Sequence, residues 1–466
     1  MPLIKSISGI RGTIGGRPDE GLTPIDVVKF TSAFGYWLKN NQEESNNKPK
    51  VVIGRDARIS GEMVSNLVCA TLQGLGIDVI DLGLSTTPTV EVAVPYYKAI
   101  GGIILTASHN PREWNALKLL NEKGEFISAE NGAEVLELAN NNEATFALID
   151  DLGSVEKVDD FGAIHIQQIL DLPLVDVEAI KSRKFKVVVD AVNSTGGIYV
   201  PQLLEALGVE VKKLYCEPNG KFPHNPEPLP ENLTELISVM KDEVYDLGIV
   251  VDPDVDRLAL VSETGEVFGE EYTLVSVSDY VLSKTNGDTV SNMSSTRALR
   301  DVTEKYGSRH HASAVGEVNV VNKMKAVNAV IGGEGNGGVI YPELHYGRDS
   351  LVGIALFLSH LAQKDCKASA LRASYPNYHI SKNKISLTPE IDVDKILDSV
   401  EHKYKNQPIN TDDGLKIEFD KEWVHLRRSN TEPIIRIYSE SEHQTTADVL
   451  AEKLISDMKE IIRENL

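Results

Sequence analysis

The sequence predicts an α/β protein of several domains. Three related α/β units with mixed, mainly parallel sheets are expected to precede a C-terminal unit of α+β type. The chain has 466 residues, which is too long for one hydrophobic core and corresponds to about three or four domains. A weak internal repeat and a change of pattern near residue 372 support the same division. The 41% of hydrophobic and 25% of charged residues are typical of globular proteins.

The repeat occurs three times. Each copy has a short apolar strand, a Gly/Ser turn and a helix, and the first two copies continue into a second apolar strand. Short apolar strands with helices between them predict parallel sheets that are covered on both faces. The predicted elements are strand 51–54, helix 60–73 and strand 75–79; strand 187–190, loop 194–197, a helix to about 206 and strand 207–211; and strand 288–291 with helix 296–306.

The last quarter of the chain has a different pattern. Pro376 and Pro389 flank the change, and an α+β arrangement follows. The predicted elements there are helix 391–405, strands near 415–419, 422–427 and 434–438, and helix 443–464. Together with an acidic linker near residue 152, these patterns predict domains at 1–152, 153–256, 257–371 and 372–466.

The composition restricts the partners and the compartment. A net charge of −22 argues against binding to nucleic acid or to an anionic membrane, because the long-range field repels both. An anionic substrate would therefore need a local basic pocket. Cys69, Cys216 and Cys366 match no metal or redox spacing, which favours buried thiols in a reducing cytosol. Without a long apolar run, we expect a soluble cytoplasmic protein with no secretory signal.

The most informative motif is Asp252-Pro-Asp254-Val-Asp256-Arg257, which directly follows an apolar strand. On an extended segment, alternating carboxylates would all lie on one face, which a cation between them would stabilise. Oxygen ligands favour Mg²⁺ or Ca²⁺. The alternative is an acidic solvated turn. An EF-hand, with Glu263 as its last ligand, is excluded by Arg257 at the position that requires glycine and by flanking strands in place of helices.

A second motif, Thr106-Ala-Ser-His-Asn-Pro111, follows the apolar strand 101–105. A hydroxyl on a tight turn at a strand end is exposed and held against the backbone, as a nucleophile requires. On this reading Ser108 is the candidate nucleophile. The alternative is a Ser/Asn turn that ends at Pro111, with His109 as a packing residue.

Two further loops contain polar groups suited to binding. Residues 332–338 form GGEGNGG, in which Glu334 and Asn336 suit a bidentate grip on adjacent sugar hydroxyls. The loop lacks the GK[ST] ending of a phosphate-binding P-loop, and a flexible connector is the alternative. Residues 427–436 form RRSNTEPIIR, whose guanidinium, hydroxyl and amide groups suit a phosphate clamp. A surface turn is the alternative there.

Taken together and in this order, TASHNP, DPDVDR, GGEGNGG and RRSNTEPIIR resemble the four signature loops of the α-D-phosphohexomutases. The resemblance extends from Gly9-Ile-Arg-Gly12 to the final helix. It implies four domains around a central cleft, the fourth similar to the TATA-binding-protein fold. It also implies an Mg²⁺-dependent intramolecular phosphotransferase that interconverts hexose 6-phosphate and hexose 1-phosphate. The reaction would use a phosphoserine enzyme and a 1,6-bisphosphate intermediate.

The resemblance assigns roles to individual residues, in agreement with the demands of phosphoryl transfer for positioning and cationic charge. Ser108 would carry the phosphate, and Lys118 would transfer protons with a pKa lowered by nearby cations, unless it is a surface residue. The implied groups are catalytic Ser108, Lys118, Arg11, His109 and Arg257; the metal ligands Asp252, Asp254, Asp256 and, through its phosphate, Ser108; and the substrate-binding residues Glu334, Asn336, Arg427, Ser429, Asn430 and Thr431.

The sugar loop departs from the commonest family pattern. Many members have Ser and His where Asn336 and Gly338 stand here, so no histidine role is carried over to position 338. The GGEGNGG and TEPIIR forms are more similar to phosphoglucosamine mutases, which favours glucosamine 6-phosphate over mannose or glucose 6-phosphate as the substrate. The remaining alternatives are a dehalogenase-like phosphatase with an aspartate nucleophile and a non-catalytic sugar-phosphate-binding protein.

Overall fold

The computed structural model describes residues 3–6, 9–42, 48–386, 392–428 and 434–465. In these ranges the strands are β1 (Ile4–Ser6), β2 (Gly9–Thr13), β3 (Lys50–Arg55), β4 (Asp78–Leu84), β5 (Gly101–Leu105), β6 (Trp114–Leu120), β7 (Val155–Lys157), β8 (Lys186–Asp190), β9 (Glu210–Leu214), β10 (Leu247–Val251), β11 (Leu258–Ser262), β12 (Thr289–Asn292), β13 (His310–Ser313), β14 (Ile331–Glu334), β15 (Gly338–Ile340), β16 (His379–Ser386), β17 (Ile409–Asn410), β18 (Leu415–Glu418), β19 (Trp423–Arg428) and β20 (Ile434–Ser441).

The helices in the same ranges cover the sheets. They are α1 (Pro24–Asn41), α2 (Gly61–Gly74), α3 (Thr87–Tyr96), α4 (Ala129–Asn141), α5 (Phe161–Leu170), α6 (Val177–Arg183), α7 (Gly196–Ala206), α8 (Thr234–Asp242), α9 (Glu270–Leu282), α10 (Ala298–Lys305), α11 (Glu317–Val327), α12 (Ser350–Lys364), α13 (Ala368–Ala373), α14 (Val393–Lys403) and α15 (Gln444–Asn465).

The chain divides into two compact units, and the first comprises residues up to Lys284 together with Asn336–Arg372. One sheet in this unit has the strand order β1-β2-β6-β5-β3-β4-β7, and another has the order β11-β10-β8-β9. Strand β3 pairs in parallel with β4 and β5, and β8 pairs in parallel with β9 and β10, whereas β10 and β11 are antiparallel. The predicted mixed, mainly parallel α/β sheets are therefore confirmed.

The second unit comprises Thr285–Gly335 and Ala373–Leu466. Strand β12 pairs in parallel with β13 and β14, as expected for the third copy of the repeat. An antiparallel sheet of order β16-β20-β19-β18-β17 forms the α+β part. Its core contains buried residues of α14 and α15, among them Val400 and Leu454. Strand β16 was not predicted, because its sequence has no regular alternation of apolar and polar residues.

Two predicted strands begin later than the sequence analysis placed them. Residues 75–79 and 207–211 were assigned to strands, but each range starts with the end of a helix. Gly76 and Gly208 have φ angles of +76° and +71°, the left-handed conformation that commonly terminates a helix. Strands β4 and β9 begin two residues after these glycines. The apolar residue before each glycine packs against the core as part of the helix cap, which explains the misreading.

The predicted domain boundaries stay predictions. The one at residue 256 lies between β10 and β11, which pair antiparallel from Leu247↔Ser262 to Val251↔Leu258. A cut at this point would separate two neighbouring strands of one sheet.

In the described part of the chain, no helix is long and apolar enough to cross a membrane. Cys69, Cys216 and Cys366 are free and half-buried. Burial raises the pKa of Cys69 to about 11 and that of Cys216 to about 12. These two thiols are therefore protonated at neutral pH and are poor nucleophiles.

Candidate active site

The three aspartates after β10 converge because the chain turns. The N–H of Val255 donates to the carbonyl of Asp252 (3.1 Å), and Val255 has a φ of +65°, which is strained for a β-branched residue. Oδ1 of Asp252 accepts the N–H groups of Asp256 (3.2 Å) and Arg257 (3.1 Å). The expectation of an extended segment with all three carboxylates on one face was therefore wrong. The turn nevertheless brings one oxygen of each of the three aspartates to within 4.8 Å of the others.

Cationic and hydroxyl groups from other elements hold two of these carboxylates. Lys118 on β6 donates to Oδ2 of Asp254 (2.7 Å) and lies 3.4 Å from Oδ2 of Asp256. Thr87 at the start of α3 donates to Oδ2 of Asp254 (2.6 Å). Arg348, which precedes α12, donates to Oδ2 of Asp256 (2.8 Å). Lys118 is buried, so the alternative of a surface lysine was wrong.

The free oxygens and charges of the triad fit a metal ion. Oδ1 of Asp254 and Oδ1 of Asp256 are buried and accept no hydrogen bond from the residues that the structure describes. Burial raises the pKa of Asp252 well above its ordinary value, and the carboxylates of Asp254 and Asp256 raise it further. Without a cation beside it, the charged form of Asp252 is therefore disfavoured by burial and by the two neighbouring carboxylates. Buried carboxylate oxygens are ligands that Mg²⁺ and Ca²⁺ prefer, so a hard divalent cation fits here.

Ser108 faces this triad. Its Oγ donates to Oδ2 of Asp252 (2.7 Å), and its N–H donates to Oγ1 of Thr106 (2.9 Å). Ser108 has a φ of +48°, an unfavourable conformation for a residue with a side chain. The turn after β5 thus holds the hydroxyl in a fixed direction. The structure brings the predicted nucleophile to the predicted metal ligands.

Arg58 donates hydrogen bonds to the turn that contains Ser108. This residue was not predicted from the sequence. It is 1% exposed, and its Nε donates to Oδ2 of Asp56 (3.0 Å). Its remaining donors reach four carbonyl oxygens of the turn: Ser108 (2.6 Å), Asn110 (2.7 Å), Pro111 (2.6 Å) and Trp114 (3.0 Å). The sequence feature that could have indicated its role is the pair of charged residues, Asp56 and Arg58, directly after the apolar strand β3. Arg348 was also missed, because no motif marks it.

His109 and two arginines surround the same site. Nδ1 of His109 lies 3.4 Å from Oγ of Ser108. Burial lowers the pKa of His109 well below its ordinary value, and the guanidinium of Arg257 lowers it further. Burial and Arg257 also lower the pKa of Arg11. His109 is therefore neutral at pH 7, and Arg11 and Arg257 add local positive charge to an acidic protein.

The pKa of Lys118 differs from the expectation. Burial alone would lower it, but the carboxylates of Asp254 and Asp256 outweigh burial and raise it. The predicted lowering was wrong, because the closest charged groups are carboxylates and not cations. Lys118 is protonated at neutral pH in this environment. It can donate a proton or neutralise an anion, but it is a poor base.

The two predicted sugar-binding residues belong to different compact units. Glu334 lies at the end of β14 in the second unit, where Oε1 accepts Nδ2–H of Asn292 (2.9 Å) and the N–H of Gly316 (3.1 Å). Asn336 lies in the first unit and accepts the N–H of Gly338 (3.2 Å). Each residue is thus held within its own unit, and their joint grip on a sugar stays a prediction.

The predicted phosphate clamp is described in part. Arg427 lies on β19, and its Nε is 2.7 Å from Oδ2 of Asp413. Ser429, Asn430 and Thr431 lie outside the described residues. The antiparallel strands β19 and β20 flank the loop as predicted.

Family models match the chain in four consecutive segments. They are described as phosphoglucomutase/phosphomannomutase alpha/beta/alpha domain I (residues 4–146), domain II (163–265), domain III (269–378) and the C-terminal domain (388–456). A "Phosphoglucomutase/phosphomannomutase" of Thermococcus kodakarensis is 37% identical over 97% of this chain and 99% of its own. The chain belongs to the phosphoglucomutase/phosphomannomutase family.

Other family members agree on the fold but differ in the named sugar. A "Phosphoglucosamine/phosphogalactosamine mutase" of Sulfurisphaera tokodaii is 31% identical over 97% of this chain and 98% of its own. A crystal structure of a family protein from Burkholderia thailandensis is 26% identical, has a TM-score of 0.85 and covers 98% of both chains.

Membership confirms the resemblance, the four-domain α/β architecture and an intramolecular phosphotransferase. The sugar specificity is the part that the names leave open.

Proposed function

We propose that the chain interconverts a hexose 6-phosphate and a hexose 1-phosphate through phosphate carried on Ser108. The main support is the position of Ser108. Its backbone has a strained, positive φ, and its hydroxyl lies 2.7 Å from Oδ2 of Asp252 in the buried Asp triad. In the first step the phosphoseryl P–O bond breaks, a sugar oxygen bonds to phosphorus, and the proton that the sugar hydroxyl loses passes to the Ser108 oxygen. The resulting 1,6-bisphosphate is then bound in the opposite orientation. In the second step the P–O bond of its other phosphate breaks, this phosphoryl group bonds to the Ser108 oxygen, and the serine proton passes to the sugar oxygen that is released.

The metal we propose is Mg²⁺, with Asp252, Asp254, Asp256 and the phosphate on Ser108 as ligands. When bound, it would neutralise charge on the oxygens of the transferred phosphoryl group. The support is the set of buried oxygens of Asp254 and Asp256 that accept no hydrogen bond from described residues.

The protein's own groups would orient and neutralise the phosphoryl group. The guanidinium groups of Arg11 and Arg257 supply donors suited to phosphate oxygens. Lys118, whose pKa is raised by its carboxylate neighbours, adds a fixed cation. His109, whose pKa is well below its ordinary value, presents an unprotonated imidazole 3.4 Å from the Ser108 hydroxyl. The site is therefore built for charge stabilisation and positioning, the two main demands of phosphoryl transfer.

Asp254→Asn is expected to weaken Mg²⁺ binding and to lower kcat by roughly 10²- to 10³-fold, similar to the loss of one preorganised electrostatic group. The amide can still accept hydrogen bonds from Thr87 and Lys118, so the fold should survive. Isothermal titration with Mg²⁺ and steady-state kinetics measure the two effects. Asp412→Asn, at an exposed carboxylate, is the matched control. Equal Mg²⁺ affinity in the wild type and Asp254→Asn would contradict a metal site at this loop.

Arg427 is proposed to hold the phosphate that is not reacting. Arg427→Ala should lower kcat/KM by roughly 10- to 150-fold, the equivalent of about 1.5–3 kcal/mol for charged hydrogen bonds. The loss should appear with both the 1-phosphate and the 6-phosphate, because each occupies the clamp in turn. Arg428→Ala is the matched control, since Arg428 is the next residue on β19 and is exposed. Unchanged kcat/KM in both directions for Arg427→Ala would place the clamp elsewhere.

For the sugar, we propose glucosamine 6-phosphate as the preferred substrate. The GGEGNGG and TEPIIR forms support it, as does the name of the Sulfurisphaera relative. Glucose or mannose 6-phosphate is the second candidate, favoured by the name of the 37% identical Thermococcus relative. A comparison of kcat/KM for the three 6-phosphates tests this, and we expect about a tenfold advantage for glucosamine, or about 1.4 kcal/mol. A higher value for glucose or mannose would overturn the preference without affecting the mutase reaction.

A further inference from the structure

A second group of metal-binding side chains lies in the first compact unit. His165 is on α5, and Asp349 is the N-cap of α12. Nε2 of His165 lies 3.0 Å from Oδ2 of Asp349, and Nε2 of His345 lies 3.3 Å from the same oxygen. One ligand atom of each of the three residues lies within 4.8 Å of the others. His165 and Asp349 are fully buried, so this is an interior cluster.

The other ring nitrogens of both histidines face oxygen atoms. Nδ1 of His165 lies 3.0 Å from Oγ1 of Thr89, and Nδ1 of His345 lies 3.4 Å from Oε2 of Glu91. Metal-bound histidines commonly donate their second N–H to such a hydroxyl or carboxylate, which fixes the ring and makes it a stronger ligand. His165 therefore has the outer contact of a metal ligand, whereas Nδ1 of His345 makes no hydrogen bond in the described part of the chain.

The charge of the buried groups also suits a cation at this cluster. Asp349 is 0% exposed and the nearby Glu91 is 1% exposed. A divalent ion between the two imidazole rings and Asp349 would compensate negative charge in this interior position.

Two of the three ligand separations suit one ion, and the third is within 4.8 Å. Ligands about 2.0–2.1 Å from a tetrahedral centre are about 3.3–3.4 Å apart, close to the 3.0 and 3.3 Å between the Nε2 atoms and Oδ2 of Asp349. We propose that His165, His345 and Asp349 form a second metal site for Zn²⁺ or a similar divalent transition-metal ion. Imidazole nitrogen with one carboxylate suits these ions and not Mg²⁺. The proposal does not depend on the mutase function.

The surroundings of this site indicate that a bound ion would hold the Asp loop, residues 252–257, in place. Ser350, next to Asp349, donates its N–H to the carbonyl of Val255 (3.1 Å). On α3, two residues before Thr89, Thr87 donates its N–H to the carbonyl of Asp254 (2.9 Å). An ion bound by the histidines would link α5 with the segment before α12, and through Thr89 with α3. Helix α3 and the segment before α12 thus lie beside the residues that hydrogen-bond to the backbone of the Asp loop.

Co²⁺ titration of the metal-stripped full-length protein tests this proposal. The wild type should bind a Co²⁺ ion with visible absorption typical of four- or five-coordinate imidazole ligation, and Zn²⁺ should displace it. The absorption should remain in Asp254→Asn, which alters the Asp loop, and in the control His402→Ala, an exposed histidine on α14. It should be lost in His345→Ala. If His345→Ala binds Co²⁺ like the wild type, the cluster is a hydrogen-bonded network and the proposal is wrong.

A milder variant keeps the test informative if His345→Ala does not fold. Thr89→Val removes the hydroxyl beside His165 and conserves volume, and it should weaken Co²⁺ binding roughly 10- to 100-fold, as outer-sphere changes typically do. Zn²⁺ should also raise the melting temperature of the wild type and His402→Ala more than that of Thr89→Val. Equal Co²⁺ affinity and equal Zn²⁺ stabilisation of Thr89→Val and the wild type would overturn the site.

Discussion

Ser108→Ala is expected to lower mutase activity by at least about 10⁴-fold while the fold is retained, since removal of a covalent nucleophile typically costs this much or more. The substitution removes one oxygen, the atom proposed to carry the phosphate. Oδ2 of Asp252 loses the hydrogen bond from that oxygen (2.7 Å) but remains available to a metal ion. Steady-state kinetics with added hexose 1,6-bisphosphate measures the loss. The bisphosphate would phosphorylate enzyme molecules that lack phosphate, so incomplete phosphorylation would not account for a low activity.

Mass spectrometry supplies an independent readout for the same residue. Intact mass and peptide mapping should find phosphate on the peptide that contains Ser108 in a fraction of wild-type molecules and none on that peptide in Ser108→Ala. Ser399→Ala, at a half-buried serine of α14, is the matched control and should keep both phosphate and activity. A fully active Ser108→Ala enzyme would contradict the phosphoserine mechanism and favour the alternative of an aspartate nucleophile.

The sequence predicted the parts of the site that depend on local pattern. Strands β5 and β10 were predicted at 101–105 and 247–251, where the structure has them. Both are short apolar runs that end at polar residues, so their ends are sharply defined in the sequence. Ser108 and Asp252 follow these ends, which is why each was recognised as a candidate before any contact between them was known.

The contacts between these segments could not be read from the chain. Ser108 and Asp252 are 144 residues apart and meet at 2.7 Å. The pKa of Lys118 depends on such contacts, and the expected direction was wrong because the carboxylates of Asp254 and Asp256, and not cations, are its closest charges. Local turns were equally hidden. The positive φ of Val255 replaces the extended geometry that alternation at Asp252, Asp254 and Asp256 suggested.

Buried charge is the other limit of sequence analysis. Charged residues are mostly exposed, so a sequence gives little reason to place one in the interior. Arg58 is 1% exposed and donates to Asp56 and to four carbonyl oxygens. A guanidinium offers five N–H donors in a planar fork, and this turn uses nearly all of them. We therefore expect Arg58 to help fix the strained conformation of Ser108.

Arg58→Met is therefore expected to lower the free energy of opening of the Ser108 turn by about 3–5 kcal/mol. This is the usual cost of removing one partner of a buried ion pair. Asp56 would be left as a buried carboxylate without its cation, and four carbonyl oxygens would lose their donor. Native-state hydrogen exchange at the amides of Ser108 and Asn110, both hydrogen-bonded within the turn, should accelerate roughly 150- to 5,000-fold, up to the limit set by global unfolding.

Two matched variants test whether the five N–H donors of the Arg58 guanidinium, or only its positive charge, hold the turn. Arg112→Met removes an exposed arginine of the same turn and should change stability by no more than about 0.5 kcal/mol, as surface substitutions do. Arg58→Lys keeps the positive charge for Asp56 but has only three donors on a single nitrogen, so its exchange rates should fall between those of Arg58→Met and the wild type. If Arg58→Lys matches the wild type, charge alone holds the turn. If Arg58→Met also matches it, the strain at Ser108 is maintained by Thr106 and the flanking strands, and Arg58 has no positioning role.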